Sequence, residues 1–516
     1  MSKFWTLSLI VLIAACHVLA ASSTAPPITM KRNDRIVIVG GGPAGIHYAT
    51  LLSQKGFTNI TVLEASPAVG GKSKTVMDPL GFPHELGTCY AHALYQPVFD
   101  LLKTYDPTNT LVPFIPTISG HTLLNKDGAI GNIYYNTYIL LLAMQAMDTW
   151  DPPTMDQVQA AVQAAFLSYV RIHMTIFGAY AYGLPPQPSD WSRVSMSGYD
   201  FLVQNNLLVL EGFFRFVFQQ QGYGSLENTP AFYMLWWAHP DVIRARVAAD
   251  SQNKPWVFML SRGYQSLWQA MVRANSNRFQ VFVNTKVTKV TRSDTVIAIT
   301  VTDKSGSHNV VADHIVYAVD LSRLAPLPTD LTPSEKLLFQ NQNTASAFVV
   351  TLFESDSPPV QSVSVWWPER GMTDSQGRLQ LTRNSRLALF NPIPRGAFSG
   401  KPVTDWGINA TGRQANVAYQ YYNRLVQSND GAVAEKQLLS DLDDAGFDNA
   451  NVRAQVVHNY FPRYNQAQLQ QGIPWKIWNA QGNKRTTWIG SSVSFESVLD
   501  VLLYNNQLIQ RVQIVP

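Results

Sequence analysis

The sequence predicts an α/β protein of two interwoven domains, and three observations support this. Ile36-Val-Ile-Val39 is a continuous β-branched run of the kind that forms a strand buried on both faces. It leads directly into Gly40-Gly41-Gly42-Pro43-Ala44-Gly45, then a helical pattern through Gln54 and a second strand, Thr61-Val-Leu-Glu64. Strand-and-helix alternation returns at 260–325 and at 486–510, after long stretches of different character. The opening is therefore one parallel βαβ unit, to which distant segments add further strands.

Taken in order, residues 1–21 read as a secretory signal peptide. Lys3 supplies a short basic region, residues 4–15 an apolar run, and Val18-Leu19-Ala20 a small-residue cleavage motif. That run, like the apolar stretch 138–147, is shorter than the roughly 20 residues a spanning helix needs. The expectation is a secreted or endomembrane-lumenal protein with no spanning segment after leader removal. The sequons Asn59-Ile-Thr61 and Asn409-Ala-Thr411 fit that route. Cys16 lies in the leader, so the mature chain keeps Cys89 alone and forms no internal disulfide.

Composition removes other classes. With 46% hydrophobic residues and a net charge of only +4 in 516 residues, disorder is excluded as the dominant state. Charges are scattered rather than clustered, so no nucleic-acid partner is expected. No close His/Cys ligand spacing occurs, so no metal site is expected.

The glycines carry the first chemistry. Gly40, Gly42 and Gly45 stand at G-x-G-x-x-G between a strand and a helix. Gly40 permits the tight turn, Gly42 lets a pyrophosphate approach the backbone, and Gly45 allows close helix–strand packing. The helix start at Ala44 offers unpaired N–H groups and a favourable dipole to phosphates. Glu64, ending the next strand, is placed to accept hydrogen bonds from an adenosine ribose. This is a dinucleotide site on a Rossmann-like domain.

Between the strand-and-helix segments, residues 96–259 are helical and aromatic-rich. Val158, Ala161, Val162, Ala165, Tyr169 and Ile172 keep the spacing of one buried helix face. Residues 326–480 read as mixed strands and helices, with Pro/Gly-rich loops at 355–378 and 392–412.

After the ribose acid, Glu64-Ala65-Ser66-Pro67-Ala68-Val69-Gly70-Gly71-Lys72 adds a second glycine pair and a cation. This run resembles the FAD signature of the flavin-containing amine oxidase superfamily. Arg262-Gly-Tyr-Gln-Ser-Leu267, Asn284-Thr-Lys-Val287, and Trp488-Ile-Gly-Ser491 with Phe495-Glu-Ser-Val498 resemble its later blocks in order. The resemblance implies FAD rather than NAD, and an amine oxidase-like architecture: a Rossmann-like FAD-binding domain with an α+β substrate domain. The FAD domain then comprises 34–95, 260–325 and 481–516, and the substrate domain 96–259 and 326–480. The resemblance assigns Ala65, Gly71 and Lys72 to the FAD signature, and Val287 to adenine. It places Gly87 and Thr88, of His84-Glu-Leu-Gly-Thr88, on a loop reaching the flavin. Gly490, Phe495, Glu496, Ser497 and Val498 form the terminal block, where a helix N-terminus faces the flavin pyrimidine. Two departures stand out: Ser66 and Lys72 occupy positions where the family usually has arginine. A cysteinyl-flavin link is excluded, since no cysteine lies near the C-terminus.

Within the superfamily, Thr229-Pro-Ala-Phe-Tyr-Met-Leu-Trp236, Tyr460-Phe-Pro-Arg463-Tyr464, Pro474-Trp475 and Ser494-Phe-Glu-Ser-Val498 look most like the polyenoic fatty acid isomerases. That resemblance implies a polyunsaturated fatty acid substrate, whose bis-allylic carbon gives a hydride to flavin N5 and regains it at a displaced carbon, leaving conjugated double bonds. The strand at 345–353, where amine oxidases place an oxygen-activating lysine, contains none. Tyr460, Arg463 and Trp475 are the candidate catalytic residues. Arg463 is the candidate clamp for a carboxylate, with Arg262 second and a salt bridge as the plainer role of each. Phe213, Phe214, Phe216, Phe218, Phe232, Trp236 and Trp237 are candidates for an acyl tunnel, against the simpler reading of ordinary core. Two alternatives stay open: an FAD amine or amino-acid oxidase releasing hydrogen peroxide, and a secreted lipid-binding flavoprotein without turnover.

Overall fold

The computed structural model describes residues 25–77, 81, 83–114, 121–125, 128–133, 135–147, 149–252, 254–321, 330–339, 344–356, 363–366, 387–390, 414–444 and 448–516. The leader and the sequon at Asn409 lie outside them. Strand β1 (Ile36–Val39) has all four residues buried, as its unbroken β-branched run requires. Helix α1 (Pro43–Gln54) follows with proline in its first turn, and β2 (Ile60–Leu63) pairs parallel to β1.

A helical layer comes next. Helices α2 (Tyr135–Met147) and α3 (Met155–Phe177) form a hairpin, and α4 (Glu211–Gln220) packs against it. Gly212 permits that contact, because a Cβ there would stand 2.9 Å from Ile139 Cα. Helix α3 starts at a Thr154–Gln157 capping box and buries Val158, Val162, Ala165, Tyr169, His173 and Ile176. It is long and apolar enough to cross a membrane by length and composition, yet this face lies inside the fold. Helix α5 (Ala231–Trp237) is buried almost throughout.

The chain then returns through α6 (Tyr264–Ala274), β3 (Gln280–Phe282), β4 (Lys286–Arg292) and β5 (His314–Tyr317). A second sheet is centred on β6 (Thr344–Ser355), which lies antiparallel between β7 (Gln414–Tyr422) and β8 (Asn451–Arg463). The chain closes with β9 (Thr486–Trp488) and α7 (Val498–Gln510). The first sheet is parallel throughout, in the order β3-β2-β1-β5-β9. Its strands come from three distant stretches of the chain. Helix α7 docks on α1, where Asn505 Nδ2 donates to the Ala44 carbonyl at 2.9 Å. These contacts bring β1, α1, α7 and the β6–β8 sheet to the rim of one cavity.

Candidate active site

The cavity has a volume of about 760 Å³ and runs between the two sheets. One half is shaped by backbone. Gly40 has φ +110°, and a Cβ there would press to 2.8 Å from the Ala318 carbonyl. Gly42 and Gly71 face each other, so that a Cβ on Gly71 would sit 3.0 Å from Gly42 Cα. Gly45 lies behind this turn rather than in its wall, and its missing Cβ would fall 2.0 Å from the Gly40 carbonyl oxygen. The turn therefore closes only with glycine at that position. The Glu64 carboxylate accepts from the backbone N–H of Gly41 and of Ser66, both at 2.7 Å. A carboxylate has lone pairs for further donors, and Glu64 borders the cavity.

Beyond Glu64, Asn284 N and Thr285 N donate to the carbonyls of Ser66 and Glu64, which seats Val287 at the wall. At the opposite end, Gly490 and the first turn of α7 at Ser497 and Val498 line the space. Two helix starts and a facing pair of glycine turns supply donors, and the Glu64 carboxylate supplies an acceptor, a set that suits a dinucleotide.

The other half is shaped by side chains. Phe348 of β6 stacks on Tyr460 of β8 with ring centroids 4.7 Å apart, and Tyr419 of β7 lies 5.6 Å from Phe348. Tyr223, just beyond α4, stacks parallel to Tyr460 at 6.3 Å. Burial pushes the Tyr223 and Tyr419 hydroxyls well above the usual phenol range, and burial together with the Glu496 charge does the same to Tyr460. These hydroxyls stay neutral. His458 also lines the cavity, with Nε2 donating to the Leu86 carbonyl at 2.7 Å.

Glu496 joins the halves. Its Oε2 accepts from Lys72 Nζ at 2.5 Å and from Phe461 N at 2.9 Å, while its backbone carbonyl accepts from Tyr223 OH. Phe461 has φ 49°, a left-handed conformation costly for an aromatic residue. The Glu496 bond and the packing of the Phe461 ring on Phe495 at 5.2 Å hold it there, which aims neighbouring Tyr460 at the cavity. Lys72 Nζ lies 5.4 Å from the centre of the Tyr460 ring.

The structure thus brings Gly40, Gly42, Ala44, Glu64, Ala65, Gly71, Lys72, Gly87, Thr88, Val287, Tyr460, Gly490, Glu496, Ser497 and Val498 to one cavity. Four expectations need correction. Arg463 is no carboxylate clamp at this wall: it is buried, and its guanidinium donates to Ser346 Oγ, the Phe461 carbonyl and Asn423 Oδ1. Trp475 sits away from the cavity, donating to the Pro185 carbonyl and packing edge-on to Trp191 and Phe232. Phe495 packs among Tyr223, Trp236 and Phe461, and supports Glu496 from behind. Phe213, Phe214, Phe218, Phe232, Trp236 and Trp237 pack in or against the core between the helices, and none of them lines this cavity. The side chain of Phe216 lies outside the described set. Arg262 takes the plainer role, half exposed beside Thr108 and Asp106.

Residues 43–404 match the flavin containing amine oxidoreductase family, so the chain belongs to that family. Its cofactor is FAD, and the donor set above fits that group. The chain is similar to the polyenoic fatty acid isomerase of Ptilota filicina, at 22% identity over 509 residues covering 91% of this chain and 93% of the relative. Among solved structures it resembles the CLA-producing fatty acid isomerase from P. acnes. That match has TM-score 0.69 and 19% identity, and covers 93% of this chain and 99% of the other. A redesigned putrescine oxidase matches with TM-score 0.60 at 12% identity, covering 93% and 98%. The fold is that of the amine oxidase-like flavoproteins.

Proposed function

We propose that this protein is an FAD-dependent isomerase that converts methylene-interrupted double bonds of polyunsaturated fatty acids into conjugated ones. The observation that carries the reading is the neutral aromatic wall of Phe348, Tyr419, Tyr460 and Tyr223 facing the glycine-built half of one cavity. FAD, when bound, supplies a centre able to take up and return a hydride. Such chemistry asks the protein for position and dryness rather than for a base. The stacked rings offer apolar contact to a hydrocarbon chain, and their neutral hydroxyls add no charge. Glu496 ties Lys72, Phe461 and Tyr223 together, which fixes the distance between the wall and the cofactor half. The likeness to two fatty acid isomerases over most of the chain supports the same reading.

The test is linoleic, arachidonic or eicosapentaenoic acid given to the yellow protein without oxygen. Conjugated-diene or triene ultraviolet absorption is the expected result. An oxidase reading is favoured by the likeness to putrescine oxidase, and by rings able to hold an ammonium group. Peroxide from amines in air, with no conjugation, would establish it instead. Lipid binding with neither signal would leave a carrier.

Export through the leader belongs to the same proposal. The secreted protein is expected to lack residues 1–21 and to carry a glycan at Asn59, which is exposed. N-terminal sequencing and glycosidase treatment check both.

A further inference from the structure

The tip of the α2–α3 hairpin carries a feature that the reaction does not use. Trp150 is 101% exposed, and the exposed side chains of Leu141, Met155 and Leu167 lie on the same hairpin. Helix α2 contains no Asp, Glu, Lys or Arg, and α3 contains only Asp156 and Arg171. The exposed positions along α3 are Met155, Asp156, Gln157, Ala160, Ala164, Leu167, Arg171 and Thr175. Arg171 lies four turns from the tip, roughly 24 Å at 1.5 Å per residue. Residues 149–157 around Trp150 are constrained locally. Thr149 Oγ1 donates to the Asp151 carbonyl at 2.7 Å, Pro152 and Pro153 follow, and the Thr154–Gln157 box closes it. A large aromatic ring is therefore held out to solvent, which removes much of the ordering cost of a docking contact.

The charges at the tip select the partner. Asp151 and Asp156, which follow the tryptophan in the chain, are both exposed, so an anionic surface is repelled. An indole beside carboxylates complements a quaternary ammonium group. Tryptophan also favours the headgroup level of a bilayer, where one part of the ring is apolar and the N–H is wet. The hairpin connects to the cavity. Phe166 of α3 packs on Phe213 of α4 at 5.4 Å, and the chain leaving α4 reaches the cavity wall at Gln221 and Tyr223.

We propose that this hairpin tip docks on a choline-headgroup lipid surface, with Trp150 entering shallowly and the body of the protein remaining in water. The docking stands independently of the reaction proposed above. The test is co-sedimentation of the full FAD-loaded protein with phosphatidylcholine vesicles. The protein is expected to bind, Trp150→Ser to weaken binding about five- to tenfold, and added phosphatidylserine to weaken it too. The double variant Asp151→Lys/Asp156→Lys should reverse the phosphatidylserine effect. Unchanged flavin absorbance and far-ultraviolet dichroism show that each variant is folded. Absence of binding to phosphatidylcholine, indifference to Trp150→Ser, or tighter binding of the unaltered protein to phosphatidylserine would overturn the proposal. So would concentration-dependent self-association lost in Trp150→Ser, which would give the surface to a second copy of the chain. Failure of the conjugation assay with vesicle binding intact would remove the isomerase reading and leave this surface standing.

Discussion

At its glycine end the cavity is shaped by backbone, and at its aromatic end by side chains. Gly40, Gly42, Gly45 and Gly71 act by having no Cβ: at Gly40, Gly45 and Gly71 an added Cβ would come within 3.0 Å of main chain, and at Gly42 it would take up the open space between the turns. Phe348, Tyr419, Tyr460 and Tyr223 come from β6, β7, β8 and the loop after α4, and act through ring packing. Backbone cradles have no room to adapt, while side-chain walls keep their shape under conservative change and alter their chemistry under drastic change. The first half fixes which cofactor is held. On the proposed reading, the second decides what is done with it.

Substitutions at the two ends should therefore fail in different ways. The largest effect is expected for Gly45→Ala, whose Cβ would strike the Gly40 carbonyl at 2.0 Å. Overpacking against main chain should cost about 3 kcal/mol, read as a lowered urea midpoint in apoprotein and holoprotein alike. Gly42→Val should separate fold from cofactor. Its Cβ meets nothing closer than Gly71 Cα at 3.7 Å, while its branches enter the space between the glycine turns. The apoprotein should keep its unfolding midpoint and lose all flavin absorbance, and retained flavin would refute the fingerprint.

At the aromatic end, Tyr460→Ala should keep bound FAD and lower the isomerisation rate roughly a hundredfold through lost positioning. Tyr460→Phe should be close to the unaltered protein, because the proposed role rests on the ring and asks nothing of the neutral hydroxyl. Equal damage from both variants would show that the hydroxyl matters.

The smallest effect concerns Glu85, beneath the junction of the two halves. It accepts from Thr75 Oγ1 and Tyr264 N, and burial pushes its carboxyl up to about 8. Between the ordinary value of 4.5 and about 8 the folded protein holds a proton that the unfolded chain releases. Stability from this group therefore falls as pH rises through that window. Glu85→Gln should flatten that slope, by a few °C in Tm at most for a chain of this size. An unchanged difference in Tm between pH 5 and pH 8 would contradict the assignment.

The same contrast explains what could be read in the sequence. The glycine end was legible because strand, turn, helix and ribose acid follow one another, and each glycine has a local steric reason. Glu64 needed no tertiary knowledge. The aromatic end was legible only at Tyr460. His458 and Val456 share its face of β8 by the two-residue period of a strand, and that alternation was the available signal for them. Tyr419, Tyr90 and Gln221 gave no local signal, since their neighbours across the cavity lie far away in sequence. The Phe/Trp-rich helices misled for a physical reason: the spacing that lines a tunnel also builds a core. Arg463 misled because residue type does not reveal that Ser346, Phe461 and Asn423 already take three of its five donors.

The most direct test of the central claim uses linoleic acid carrying two deuterium atoms at its bis-allylic carbon, incubated with the FAD-loaded protein in the absence of oxygen. The account predicts a conjugated diene that keeps both deuterium atoms, one of them at a displaced carbon. No diene, or a diene in which one deuterium has been replaced by hydrogen from water, would contradict it.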